Sequence, residues 1–553
     1  MKRLVLTGLV LALAAPGSAS AARFAVGLDP GASRAVVARD LRSATGGVVT
    51  PLAPFGLVLQ APSARGAAAI PGVRYVERLQ ADRRISFVPT DPLAGRQWYL
   101  GQIHAFDAWP VSPVFSPRVR VAVIDSGIDA THPDLAPRIE SGRSFVGGSW
   151  KKDTQGHGTF VAGIIAAETG NGEGIAGIGV GSDLLIAKVV REDGSISLDA
   201  EARAIRWAVA QGAGVINLSF GGVRDPLNRT RDTYSRLEAD AIEWAVRHGV
   251  VVVAAVGNGD QAPSMPWPYA SYPAALPHVI GVSALARDGS VPAFSNRDRV
   301  YNDLSAPGQE IVSTLPRQLT SPKSTCPFQG YSDCGPLEFK KAEGTSFAAP
   351  QVSAAAALLL NTAQATGVDL VPSQVAELLT RSAHDVTPAM GCRRCTFDRD
   401  RFSGWGRLDI ASAIAELKEG PIPGLDAYEP NDDAGTHAWR IGRGRERILA
   451  SVDYWDDRYD VYRVQLRRGE RIRVSVQGKA GTDTNLVLWK PGVRQIGAPA
   501  SRRLMAGRST SPGATESVTY KAKQAGWYFV QVSMSQEGSG AYSLRLDRTE
   551  RLG

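Results

Sequence analysis

Two rhythms of apolar residues divide the chain. Between residues 119 and 256, runs such as Val119-Arg-Val-Ala-Val-Ile124 and Gly249-Val-Val-Val-Val-Ala-Ala-Val256 are apolar almost without interruption and rich in β-branched residues. Short continuous runs of this kind predict strands buried on both faces, as in a parallel sheet. Helical segments lie between them. Ala200 to Gln211 ends at Gly212 and leads into Val215-Ile-Asn-Leu218; Arg236 to His248 ends at Gly249 and leads into the valine run. Helix, glycine cap and strand in succession predict an α/β domain, a parallel sheet with helices on both faces.

Beyond Lys418 the rhythm changes. Residues 419–425 contain Gly-Pro-Ile-Pro-Gly and read as a linker. After it, apolar and polar residues alternate in Tyr462-Arg-Val-Gln-Leu466, Ile472-Arg-Val-Ser-Val476, Tyr528-Phe-Val-Gln-Val532 and Tyr542-Ser-Leu-Arg-Leu546. Period two between glycine-containing turns predicts a small all-β sandwich over 426–548. Before the α/β region, residues 22–92 make a small α+β unit of their own. Phe55 to Gln60 reads as a strand, Pro62 to Ile70 as a short helix, and Val73 to Gln80 as a turn into another strand.

The first 21 residues follow a third pattern. Met1-Lys-Arg is positive, Leu4 to Ala15 is apolar, and Ala19-Ser-Ala21 is a small-x-small sequence. That is the layout of a signal peptide, whose apolar stretch is too short to span a bilayer. It predicts a secreted, extracellular protein. No later stretch is apolar for long enough to form a membrane helix.

Composition narrows the function classes. A chain of 553 residues is too long for one core, and 21% charged residues describe an ordinary folded protein. The net charge of +8 is spread over many arginines. No basic stripe is interleaved with aromatics, which argues against nucleic acid as a partner. Four cysteines occur, at Cys326, Cys334, Cys392 and Cys395. An even number in an exported chain favours disulfides, and proximity favours Cys326–Cys334 with Cys392–Cys395. Metal-ligand spacing in Cys392-Arg-Arg-Cys395 leaves zinc as the alternative.

The chemistry-bearing residues stand at element ends. Gly344-Thr-Ser346-Phe-Ala-Ala-Pro350 opens a helix-forming run of small residues, where free backbone N–H groups and the helix dipole gather. Asp125 closes the first valine-rich strand, the end of a parallel sheet at which ligands collect. His157, in Gly156-His-Gly-Thr159, opens an apolar helix. Asn258 ends the later strand and offers an amide donor. An acid, an imidazole and a hydroxyl so arranged suit nucleophilic attack on a carbonyl. An inert binding shell and a simple esterase are the alternatives that carry the same residues.

At these positions the chain resembles the subtilisin-like serine peptidases, the subtilases. The matching segments are Asp125-Ser-Gly-Ile-Asp-Ala-Thr-His-Pro-Asp134, His157-Gly-Thr-Phe-Val-Ala-Gly163 and Gly344-Thr-Ser-Phe-Ala-Ala-Pro350. Ile216 to Gly222, Ala254 to Asn258, Tyr272-Pro-Ala274, Phe294-Ser-Asn296 and Ala306-Pro-Gly308 support them. The order Asp, His, Ser is that of the subtilisins. The resemblance covers about residues 95–415 and departs at two places: Phe160 stands where many relatives carry His, and Phe347 where many carry Met.

The resemblance implies a catalytic domain over 93–418, with Asp125, His157 and Ser346 as the triad and Asn258 in the oxyanion hole. It makes Ser219, Phe220 and Gly221, with Ala255, Val256 and Gly257, the walls that bind substrate. These walls are apolar and glycine-rich, so cleavage of polypeptides after apolar or aromatic residues is expected. The resemblance also implies that 22–92 is a propeptide, a folding assistant and intramolecular inhibitor removed by self-processing. The enzyme is expected to act as a monomer. Asp134 matches a calcium ligand of the family, and the loop Glu168-Thr-Gly-Asn171-Gly-Glu173 matches the segment supplying further oxygens. Finally, Asp426-Ala-Tyr-Glu-Pro-Asn-Asp432, with Asp460-Val-Tyr and Gly540-Ala-Tyr-Ser-Leu, resembles the bacterial pre-peptidase C-terminal domain.

Overall fold

The computed structural model describes residues 22–52, 56–61, 64, 66–79, 88–109, 118–320, 339–422, 424, 426–442, 446–455, 457–496 and 499–549. The leader 1–21, Cys326 and Cys334 lie outside the described residues. The chain divides into two compact units between Ile85 and Ser86.

In the first unit, strands β1 (Ala22–Leu28), β2 (Val48–Leu52), β3 (Gly56–Ala61) and β4 (Val73–Arg78) form an antiparallel sheet in the order β2-β3-β1-β4. Its core joins Val26, Leu57 and Leu59 of the sheet to Val37 and Leu41 of helix α1 (Arg34–Thr45). Of the helix expected over Pro62–Ile70, residues 62, 63 and 65 lie outside the described residues, and the rest holds one 3-10 turn, Ala67–Ala69, preceded by Gly66 at a φ of 84°, off the helical path. The unit's real helix is α1, which begins after Ser33 and ends at Gly46 in the left-handed region.

The second unit begins with two short helices, α2 (Trp98–Gln102) and α3 (Ala105–Ala108). It is built on seven parallel strands: β5 (Arg120–Asp125), β6 (Ile139–Ser144), β7 (Asp183–Lys188), β8 (Ala213–Leu218), β9 (Val251–Ala255), β10 (Val279–Leu285) and β11 (Leu304–Pro307). Their order is β11-β10-β9-β8-β5-β7-β6. Side chains alternate between two cores, as period two requires. Val121, Val123, Val251 and Val253 join one core; Ala122, Ile124, Val252 and Ala254 join the other. Helix α4 (His157–Ala166) covers the first face, with α7 (Ala349–Ala365), α8 (Pro372–Arg381) and α9 (Ile410–Glu419). Helices α5 (Leu198–Ala210) and α6 (Arg236–Arg247) cover the second. Helices on both faces are thus as expected. A two-stranded antiparallel ribbon, β12 (Ile311–Thr314) with β13 (Phe339–Ala342), leads to α7.

Residues of α7 from Ala349 to Leu359 are buried all round, which a central helix demands. Small residues from Ser353 to Ala357 let neighbouring elements approach it closely. Cys392 and Cys395 are joined in a disulfide, not presented as separate thiolates for zinc.

The last region is a β-sandwich. One sheet runs β14-β16-β21-β18-β19, from β14 (Trp439–Arg440), β16 (Tyr459–Leu466), β18 (Thr484–Trp489), β19 (Met505–Ser509) and β21 (Gly526–Met534). The other runs β15-β22-β17-β20, from β15 (Glu446–Asp453), β17 (Arg471–Gln477), β20 (Thr515–Lys521) and β22 (Ser539–Thr549). All pairings are antiparallel except that of the two-residue β14. The alternating residues named in the sequence, Val464, Val474, Val530 and Leu544 among them, face inward. The sandwich meets the α/β domain through ion pairs, Arg236 with Asp433 and His278 with Asp432.

One approach in this fold leaves no room. A Cβ at Gly158, in the first turn of α4, would lie 2.2 Å from the Gly127 carbonyl oxygen, which is backbone and hard to displace. Gly158→Ala is therefore expected to cost about 1–3 kcal/mol, read as a lowered midpoint in thermal or denaturant unfolding. Gly101→Ala meets nothing within 4 Å and lies in helix α2, so it serves as the control. Equal midpoints for the two variants would contradict the close approach.

Candidate active site

The C-terminal ends of β5, β8 and β9 open onto one cleft of about 480 Å³. Asp125, the last residue of β5, is buried there. Its Oδ1 accepts hydrogen bonds from the Ser126 N–H at 2.7 Å and from His157 Nδ1 at 2.9 Å, while Oδ2 is also 2.9 Å from Nδ1. This fixes the ring so that Nδ1 carries the proton and Nε2 is left free to accept one. Burial opposes a positive charge on His157. The charge and hydrogen bond of Asp125, with the charge of Asp153, outweigh it and raise the imidazole above its ordinary value near 6.5.

Asp153 is the organiser that sequence reasoning missed. It is fully buried, and Oδ2 accepts from both the N–H and the hydroxyl of Thr159, at 2.9 and 2.7 Å. Its Oδ1 accepts from Gly156 N–H at 2.8 Å and from the Ser126 hydroxyl at 2.8 Å. Ser126 Oγ in turn accepts from the Gly158 N–H at 2.8 Å. One carboxylate thus satisfies free N–H groups at the start of α4 and ties them to the turn after β5. A signal was present: an acid shortly before an apolar helix is a capping pattern.

Ser346 lies in a 3-10 turn, Thr345–Phe347, just ahead of α7. Its carbonyl accepts from Ser219 Oγ at 2.8 Å, while among the described residues its N–H and Oγ make no hydrogen bond. Asn258 faces it. The Asn258 Oδ1 accepts from the Thr345 N–H and from the Thr345 hydroxyl, both at 3.0 Å. With the oxygen end so held, the NH2 end is turned the other way. A Cβ on Gly344 would lie 3.4 Å from that nitrogen. The two departures from the subtilase pattern pack together. Phe160 and Phe347, both buried, have ring centroids 4.5 Å apart, and Phe347 also lies 5.5 Å from the His157 ring.

Asp125, His157, Asn258, Ser346, Ser219, Phe220, Gly221, Ala255 and Gly257 all line this cleft. Val256 does not; its side chain points into the core under α5 and α6, because it alternates with Ala255 and Gly257. Two carboxyl groups that the sequence did not single out also line it, Glu201 of α5 and Glu238 of α6.

Two oxygen-rich sets lie elsewhere. Asp134 Oδ1 accepts from Asn171 Nδ2 at 3.0 Å and Oδ2 from the Ile175 N–H at 2.9 Å. Burial pushes Asp134 up to about 7. Asp91, also raised by burial, adds its charge nearby, and its Oδ1 is buried without a hydrogen-bond partner. Two buried carboxyls beside a glycine-rich loop fit a hard cation. Asn171 presents its NH2 to Asp134 and its Oδ1 accepts from the Glu173 N–H at 2.7 Å, so the side-chain oxygen left unengaged here is that of Asp91. In the sandwich, Asp426, Glu429, Asp457 and Asp460 bring carboxylate oxygens within 4.8 Å of one another. Burial, then the charge of Glu429, holds Asp457 and Asp460 well above the usual carboxylate range.

The comparisons with known proteins converge on the same cleft-bearing domain. The family model described as the subtilase family, Peptidase_S8, matches residues 116–406. The major intracellular serine protease of Bacillus subtilis (strain 168) is 38% identical over 44% of this chain and 68% of its own length. Thermitase of Thermoactinomyces vulgaris is 34% identical over 49% of this chain and 85% of its own. Halolysin of Haloferax mediterranei is 33% identical over 68% of this chain and 66% of its own. Among the described residues no helix is long and apolar enough to cross a membrane. The chain belongs to the subtilase family, as a serine endopeptidase.

Proposed function

We propose that the protein is a secreted endopeptidase that cleaves polypeptides through Asp125, His157 and Ser346, and that it is made as a zymogen. The observation that carries this reading is the pairing of two fixed orientations in one cleft. Asp125 holds the His157 ring with Nε2 free, and Thr345 holds the Asn258 amide with its NH2 toward the cleft.

The Ser346 hydroxyl attacks the scissile carbonyl carbon while His157 Nε2 takes its proton. Negative charge that develops on the carbonyl oxygen is met by Asn258 Nδ2 and the unengaged Ser346 N–H. Collapse breaks the C–N bond, and His157 returns the proton to the leaving amine. Water then repeats the two steps on the acyl-enzyme. Asp125 stabilises the imidazolium in both. The walls at Ser219, Phe220, Gly221, Ala255 and Gly257 carry no charge, which supports an apolar or aromatic residue at the cleaved position.

The signal-like residues 1–21 support export. The first unit supports a propeptide over 22–92, since it has its own core, and its removal would occur near residues 86–91. Calcium would be held by Asp134 with oxygens of the 168–173 loop, and by Asp91 where the cut falls on its N-terminal side. It would supply positive charge between two buried carboxyls and so fasten that loop.

Ser346→Ala and His157→Ala are each expected to abolish proteolysis without unfolding the protein, and Ser346→Ala should accumulate uncut, by intact mass. Asn258→Ala is expected to lose about 100- to 1,000-fold in kcat, the magnitude known for subtilisin's own oxyanion asparagine. Near-normal turnover there would remove Asn258 from the mechanism.

The pH profile follows from the raised His157. A base whose pKa is raised stays protonated, and therefore inactive, up to a higher pH. The acid limb of kcat/KM is expected above 6.5. A limb at or below that value would mean that Asp125 does not control the ring.

Metal removal gives a separate test. Chelator is expected to lower the thermal midpoint, by about 2.7 kcal/mol relative to a cation at 100 times its Kd. The shift should shrink in Asp134→Ala. Identical wild-type midpoints with chelator and with calcium would eliminate the site.

A further inference from the structure

Helices α5 and α6 lie side by side on one face of the sheet, joined by an apolar seam that includes Ala204, Ile205, Ala208, Ile242 and Ala245. The seam changes character where the first turns of both helices reach the cleft. Glu201 and Glu238 stand there, 2% and 4% exposed, lining the same cleft as His157 and Ser346. The two carboxyls hydrogen-bond to each other, and Glu201 Oε1 is buried with no partner. No arginine, lysine or histidine contributes to the surroundings of either group. Burial first, and then Glu238, push Glu201 well above the usual carboxylate range; burial raises Glu238 to about 7.

Such a pair is a poor adhesive. Two buried carboxyls without a cation carry a desolvation cost, and apolar residues of similar size would join the helices better. The arrangement makes sense if a cation arrives from outside. The cleft is where a polypeptide would lie, and the first turns of two helices favour negative charge at that spot.

We propose that Glu201 and Glu238 form an acidic subsite that binds a basic side chain of the polypeptide substrate, arginine in preference to lysine. The proposal rests on the endopeptidase reading. The walls assigned to the residue at the scissile bond hold no carboxylate, so the cation belongs to another position of the substrate. A guanidinium presents five N–H donors in a planar fork, enough to engage both carboxylates together. As it enters, both groups become carboxylates and the proton they shared leaves to solvent. The lysine ammonium, a compact and strongly hydrated charge, suits a two-carboxylate fork less well.

The test uses the processed full-length enzyme and quenched fluorescent peptides with phenylalanine at the cleaved position. Arginine, citrulline, lysine or norleucine is placed at each other position in turn, on both sides. Citrulline keeps the shape of arginine without its charge. At one position arginine is expected to raise kcat/KM about tenfold or more over citrulline, with lysine between them. In Glu201→Gln/Glu238→Gln, the arginine-to-citrulline ratio should fall to near one. Glu201→Leu/Glu238→Leu, which replaces a buried acid pair by apolar groups, gives a second folded background in which the same ratio should collapse. Equal cleavage of arginine and citrulline peptides by the wild type at every position would overturn the subsite and leave the endopeptidase reading intact. An arginine preference that survives in a folded double variant would also overturn it. Failure to cleave any peptide would sink the endopeptidase reading, and the subsite with it.

Discussion

Everything at the cleft depends on how closely α4 can start against the turn that follows β5. His157 is the first residue of that helix and Asp125 the last residue of that strand. Their hydrogen bonds, at 2.9 Å, exist only because Gly158 lets two backbones come together where a side chain would collide with the Gly127 carbonyl. Asp153 turns this proximity into a fixed distance. It draws on the unpaired N–H groups at the start of α4, which need an acceptor in any case, and on the Ser126 hydroxyl from the strand side. Helix nucleation and placement of the His157 ring are one event.

The same economy appears at Ser346. The turn before α7 contributes Ser346 to the cleft and Thr345 to the restraint on Asn258. A donor oriented before substrate arrives needs no reorganisation when charge develops, which is where electrostatic catalysis gains most over water. The Glu201–Glu238 pair works by the opposite logic. It is held together by sharing, and is completed only by a charge from elsewhere.

Much of this was legible from the chain. Strands buried on both faces announce themselves as continuous apolar runs, and Asp125, His157 and Ser346 each sit at an element end that glycine or a strand terminus marks. The sandwich was equally plain, because one wet face per sheet enforces alternation. Other features were hidden for physical reasons. Asp153 acts through backbone groups, which have no sequence identity. Val256 was grouped with the cleft residues because proximity in sequence does not say which face of a strand a side chain takes. Glu201 and Glu238 lie in amphipathic helices where a glutamate ordinarily faces water; only the packing of α5 against α6 brings them to the cleft. Asn171 was taken as an oxygen donor, yet it offers its amide nitrogen to Asp134.

The ring of Phe347 has a consequence for durability. A thioether next to a nucleophilic serine is a target for peroxide, which would convert a flexible apolar group into a polar sulfoxide in the most tightly packed part of the site. Here that place is filled by a phenyl ring tilted against Phe160, and among the described residues none that lines the cleft is a methionine or a cysteine. The described methionines, Met265, Met390, Met505 and Met534, lie outside the cleft lining. Oxidants that add oxygen to sulfur therefore find no sulfur among the described residues that wall the cleft.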